Sequence, residues 1–129
     1  MNYPNPNPDL LTADQSAVWD ELIWRRGQRY AITGAELQRR TRLRDYQVKA
    51  AVRGLRLQHK IPIGASRGKL NGYYLIDTPA EMAATIRVLR RQALSELALI
   101  CALAGHEWTR YREMLGQLGF EFGDLAPGT

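Results

Sequence analysis

Residues 44–58 read RDYQVKAAVRGLRLQ. At helical spacing, Val48, Ala51, Val52 and Leu55 fall at i, i+3, i+4 and i+7 and form one apolar stripe. Tyr46, Gln47, Lys49, Ala50 and Arg53 lie on the other faces. The stripe seats the helix on a core. The remaining faces show cations, an amide and an aromatic ring, with the small Ala50 allowing close approach, and such a surface suits insertion into a DNA major groove. The competing reading of this stretch alone is a solvated amphipathic helix. Its flanks decide between the two.

Upstream, Thr33 and Glu36 in TGAE fit a capping box, which predicts a short helix over about Gly34 to Arg40 with Ala35 and Leu37 turned inward. The turn TRL then leads into the central helix, so two helices about four residues apart form a helix-turn-helix arrangement. Before them, Tyr30, Ala31 and Ile32 read as a short extended segment. Further back, Thr12 and Gln15 form another capping box and start a helix that should run to about Arg26, where Gly27 supplies the stop. Val18, Trp19, Leu22 and Ile23 give this helix its apolar face. Trp19 belongs to the core, and Trp24 has no such assignment. Residues 1–9 alternate Asn and Pro and are expected to be a flexible extended arm, because Pro lacks an amide donor and biases its predecessor away from helix.

Downstream the period changes. Ile61 to Ala65 predicts a strand, Ser66 to Asn71 (SRGKLN) a polar loop, and Gly72 to Ile76 (GYYLI) a second strand, which together make a β-hairpin. Its tip carries Arg67 and Lys69 beside Ser66 and Asn71, groups that can reach phosphates or a minor groove.

Charge is concentrated in the same region. From Arg25 to Lys69 there are 13 Lys or Arg and two acids, Glu36 and Asp45, a local charge of +11; the remainder carries five Lys or Arg and eleven acids, or −6. The net +5 of the 129 residues conceals this asymmetry. Such a basic field favours nucleic acid over anionic membrane, since the region lacks a continuous helix with a strongly apolar exposed face. No apolar run approaches the roughly 18 residues of a membrane span. The start, MNYPNPNPD, has neither the basic nor the apolar region of a secretory signal, and a soluble cytoplasmic protein of a bacterium or phage-infected host is expected. The single Cys101 excludes an internal disulfide. His59 and His106 stand at no recognised ligand spacing from it, so neither a metal nor a cofactor is expected.

The order helix, short strand, helix, turn, helix, hairpin is that of a winged-helix domain. The sequence also resembles that family directly: TGAELQRRTRLRDYQVKAAVRGLR followed by PIGASRGKLNGYYLI is similar to the winged helix-turn-helix of the biotin-operon-repressor type. Similar modules occur in small phage and mobile-element DNA-binding proteins. The match spans about Leu10 to Asp77, and its most specific parts are Glu36-Leu37, the Val48/Val52/Leu55 seam and the Gly-Tyr-Tyr-Leu exit of the hairpin. The resemblance implies that Asp45 to Arg56 is the recognition helix and Ser66 to Asn71 the wing. Tyr46, Gln47, Lys49 and Arg53 would then read base edges, while Arg39, Arg40, Arg42, Arg44, Arg67 and Lys69, with Ser66 and Asn71, would hold the backbone. The family usually places Gly in the turn and Ser or Thr at the cap of the recognition helix. Here Arg42 and Arg44 stand there, so a distorted turn is expected.

Past residue 77, Thr78-Pro79 begins a helix with Thr78 as cap and Glu81 in the first turn, able to continue to Gly105. Met82, Ile86, Leu89 and Ala93, then Leu97, Ile100 and Leu103 beyond an interruption at Glu96, give it an apolar seam. From Ala93 to Ala104 (ALSELALICALA) apolar residues fall all round the helix, so more than one side needs cover. A second copy of the chain could supply it. So could the segment after Gly105, where Trp108, Tyr111, Met114, Leu115 and Leu118 recur at helical spacing. Dimerisation is the favoured reading. Cys101 reads as a small core residue, and His106-Glu107 is not a zinc-protease motif because position 110 is Arg110. Residues 119–129 form a tail in which Phe120 and Phe122 pack or dock.

The expected architecture is therefore α+β. Residues 1–9 are an arm, 10–77 a winged helix of three helices and a hairpin, 78–118 a helical dimerisation or interaction region, and 119–129 a tail. No Gly-rich phosphate loop, Ser/His/Asp set or metal-spaced cluster is present, so enzymatic function is not expected. The leading expectation is a sequence-specific double-stranded DNA-binding protein, a phage or mobile-element transcription regulator acting as a homodimer. The alternative is a phage replication or DNA-packaging accessory that tethers a protein partner to DNA. A module that binds protein alone is the third class.

Overall fold

The computed structural model describes residues 5–66, 72–104 and 108–117. It is an α+β fold, mostly helical. The helices are α1 (Ala13–Leu22), α2 (Gly34–Thr41), α3 (Asp45–His59), α4 (Pro79–Ala104) and α5 (Trp108–Gln117), and an antiparallel hairpin, β1 (Ile63–Ser66) and β2 (Gly72–Leu75), stands between α3 and α4. The chain divides into two compact units, Met1–Thr85 and Ile86–Thr129. None of the described helices is long and apolar enough to cross a membrane.

The helix starts are set by local chemistry. Thr12 accepts from the Gln15 N–H at 3.1 Å and Gln15 accepts from the Thr12 N–H at 3.1 Å, the reciprocal capping box expected for α1. Gln15 also donates its side-chain amide to Gln58 at 3.1 Å, joining the start of α1 to the end of α3. At Gly54 an added Cβ would collide with that amide, so the glycine allows this close crossing of α1 and α3. Thr33 caps α2 by accepting from the Glu36 N–H at 3.1 Å, and Thr78 caps α4 by accepting from Glu81 at 3.1 Å.

The apolar stripe of α3 is buried as expected: Val48, Ala51, Val52 and Leu55 join Val18, Trp19, Leu22, Ile32, Leu37, Ile61, Ile63 and Leu75 in one core. Burying each of the larger aliphatic side chains contributes about 1.5–3 kcal/mol. Ala35, expected to turn inward, is exposed; Leu37 alone anchors α2.

Two elements differ from the sequence reading for one reason. Helix α1 stops at Leu22 and not near Arg26, and of the extended segment expected over Tyr30 to Ile32, Tyr30 instead ends a 3-10 turn (Gln28–Tyr30) while Ile32 bridges to β2. The stretch is recruited by β2. The Leu75 N–H donates to Arg25 O at 2.7 Å, Gly27 N–H donates to Leu75 O at 2.8 Å, and Ile32 and Tyr73 exchange hydrogen bonds of 2.9 and 2.8 Å. Gly27, at φ 95, makes the bend this route needs. Strand limits shift by a residue or two, from Ile61–Ala65 to Ile63–Ser66 and from Gly72–Ile76 to Gly72–Leu75. At the other end, Pro8–Leu10 of the expected extended arm and its junction form a 3-10 turn capped by Asn7.

Glu81 has a larger role than a first-turn acid. Its two carboxylate oxygens accept from the Asp77 and Gln28 backbone N–H groups, each at 2.8 Å, tying the first turn of α4 to the segment after α1.

Candidate nucleic-acid interface

Because α3 buries one side completely, its opposite side is a continuous surface. Tyr46, Ala50, Arg53 and Leu57, at i, i+4, i+7 and i+11, are all exposed, Tyr46 by 66%. Lys49 is exposed beside this line and pairs with Asp45 at 2.9 Å. The Asp45 carboxylate, by hydrogen bond and then by charge, raises the Lys49 ammonium above the ordinary lysine range. Asp45 also accepts from Gln38 at 3.4 Å.

Gln47 is placed differently from the other predicted base readers. It is half-buried, and its Oε1 accepts from the Arg44 backbone N–H at 2.9 Å. Arg44 occupies the cap position of α3, and a guanidinium has no lone pair with which to accept from the helix. Only the Gln47 half of a capping box is therefore present. The preceding turn is closed by Arg42 itself, in left-handed geometry at φ 59 and ψ 26, where a side chain is strained and glycine is favoured. Thr41 supports the turn by donating to Leu37 O at 2.6 Å and accepting from Leu43 N–H at 3.3 Å. The turn keeps regular cap geometry despite its two arginines.

The predicted phosphate-holding cations fall into two groups. Arg39 and Arg40 both bind Glu36, and Arg40 also lies 3.7 Å from Glu21. The Arg39 hydrogen bond, followed by that of Arg40, holds the Glu36 carboxyl below the usual carboxylate range. Such exposed pairs contribute little to stability and are screened by salt. Arg42, Arg44 and Arg53 are exposed and have no acid partner among the described residues. Ser66 ends β1 and is buried, with a partner of its own, so it is not a free loop donor. Arg67, Lys69 and Asn71 lie outside the described residues.

Comparisons with protein-family models, with curated proteins and with solved structures found no match to this chain. Function is therefore argued from the side chains themselves.

Two residues that the sequence reading left unassigned border this surface. Arg56, half-buried, donates Nε to Ile63 O of β1 at 3.0 Å, and burial lowers its pKa from the ordinary arginine value. Tyr73 of β2 packs its ring against the core and lies within electrostatic reach of both Lys49 and Arg56. Arg56 sits at i+7 from Lys49, a spacing visible in the sequence. Tyr73 reaches α3 only through the pairing of distant strands, which no local pattern shows.

On α4 the predicted seam is largely open. Ile86, Leu89, Ala93, Ile100 and Leu103 are exposed, Ile86 by 54% and Leu103 by 81%, while Met82 and Leu97 are half-buried. Cys101 is buried as expected, and burial pushes its thiol up. Of the helical pattern after Gly105, α5 covers Trp108 to Gln117; Leu118, Phe120 and Phe122 lie outside the described residues.

Proposed function

We propose that this chain is a sequence-specific double-stranded DNA-binding protein of winged-helix type, a transcription regulator of the phage or mobile-element kind that acts as a dimer paired through α4. The observation that carries the reading is the exposed surface of α3. Tyr46, Lys49, Ala50 and Arg53 stand opposite a fully buried seam and beside the exposed Arg42 and Arg44. A helix about 10–12 Å across fits a B-DNA major groove about 12 Å wide. Arg53 and Lys49 offer donors to guanine, Tyr46 offers an aromatic edge, and Ala50 allows the backbone to approach.

The order of pairing in the sheet also favours a wing. The segment at Ile32 lies against β2, and β2 against β1, so the hairpin is braced on one side. The local charge of +11 supplies the phosphate attraction. Pairing through α4 is supported by the exposed aliphatic side chains along its seam.

The test is fluorescence anisotropy on random and genomic duplexes across a salt series, with mass measured by light scattering. Release of counterions from about five phosphates predicts a log–log slope of about −4.5. Arg53→Ala should reduce discrimination between preferred and random duplexes by about 1–3 kcal/mol. No salt-sensitive binding at low ionic strength would overturn the reading. DNA binding by a monomer would instead assign α4 to a different protein partner.

A further inference from the structure

Seen down α3, the buried seam and the Tyr46/Ala50/Arg53/Leu57 line face opposite ways, and Lys49 and Arg56 project from the flank between them. A helix lying in a major groove turns its centre to base edges and its flanks to the groove walls, which are phosphate backbone. The side of α3 that meets the hairpin is this flank. Arg56 ties it to β1 through Ile63 O, and the Nη2 of Arg56 is buried without a partner among the described residues. Two of its three nitrogens are thereby turned inward, and the side chain serves as a strut between α3 and β1.

Tyr73 occupies the same junction from the sheet side. Its backbone is held by the paired hydrogen bonds with Ile32, and its ring packs on the core. The ring edge also lies close to α2, where a Cβ built on Gly34 would stand 4.0 Å from Cε2. Tyr73 is half-exposed, and its hydroxyl has no partner among the described residues. A half-exposed phenol whose ring is fixed in apolar packing, within electrostatic reach of Lys49 and Arg56, is a preorganised donor for an anionic oxygen.

We propose that Tyr73 donates its phenolic hydrogen to a backbone phosphate of duplex DNA at the seam between α3 and the hairpin, on the side of Lys49. Arg56 is the positioning residue that sets the distance of the hairpin from α3. The proposal rests on the DNA-binding reading above. It assigns to Tyr73 a sequence-independent contact, because a phosphate carries no base identity.

Tyr73→Phe keeps the packed ring and removes only the donor. The variant should keep the unfolding midpoint of the unaltered chain and bind every duplex about ten-fold more weakly. Its salt slope should be unchanged, since a neutral hydroxyl displaces no counterion, whereas Arg44→Gln, at an exposed cation assigned to the phosphate backbone, should flatten the slope by about 0.9. In a scan of single methylphosphonate substitutions, one phosphate should weaken the unaltered chain and weaken Tyr73→Phe less. Unchanged affinity in Tyr73→Phe, a loss confined to particular sequences, or a scan without such a phosphate would each overturn the assignment while leaving DNA binding intact. Failure of the unaltered chain to bind DNA would overturn both.

Discussion

Helix α3 and the stretch of α4 beyond Thr85 are both rich in aliphatic side chains, yet they use them differently. In α3 the stripe of Val48, Ala51, Val52 and Leu55 is buried, and the outer face holds Tyr46, Lys49, Ala50 and Arg53, with Leu57 its one exposed large aliphatic side chain. In α4, Ile86, Leu89, Leu99, Ile100 and Leu103 remain exposed. The first helix is completed by its own unit. The second carries more apolar surface than the described residues cover, the surplus that the proposed pairing would bury.

The sharpest way to break this comparison is to shorten one side chain in each helix. Leu55→Ala removes a fully buried side chain and should destabilise the first unit by about 2–5 kcal/mol in urea unfolding. Leu103→Ala, at an exposed position, should change that unfolding by less than about 0.5 kcal/mol. Equal losses would mean that the two faces do the same structural work.

The next test addresses association directly. Ile86→Lys combined with Ile100→Lys places two charges on the exposed seam, and sedimentation should show the mass falling from dimer to monomer while circular dichroism stays constant. A mass that does not respond would remove α4 from the proposed interface. The smallest effect is expected at the turn before α3. Arg42→Gly relieves a side chain held at φ 59 and should raise stability by about 1 kcal/mol. Loss of one cation should also weaken DNA binding, so stability and affinity would move in opposite directions.

What the sequence made legible follows from how local each determinant is. The capping residues Thr12, Gln15, Thr33 and Thr78, and the seam of α3, depend on neighbours within a few positions, and these elements appear where expected. The route of Arg25 to Ile32 depends on β2, more than forty residues away, and so the 3-10 turn and the early stop of α1 were hidden. The same reason conceals Tyr73. Gln47 shows another limit: periodicity places it off the core, but the cap defect left by Arg44 draws its side chain back to the main chain. Likewise the pattern identifies Arg39 and Arg40 as cations without revealing that Glu36 holds both.

The reciprocal pairing of Ile32 with Tyr73 has a kinetic side. Helices α2 and α3, with strand β1, lie within the chain segment that this pairing closes. Their turns require only short-range contacts, but the two strands must wait for the whole helical segment to fold back between them, against the entropy of closing a long loop. Gly72 faces the Ile32 carbonyl so closely that an added Cβ would collide with it, leaving no slack for an approximate fit. The bridge of Ile32 to Tyr73 is therefore a long-range closure, expected to form later than the helical turns and the local β1–β2 hairpin it joins. Its release would free the leading segment and the hairpin together, making their opening a single cooperative event.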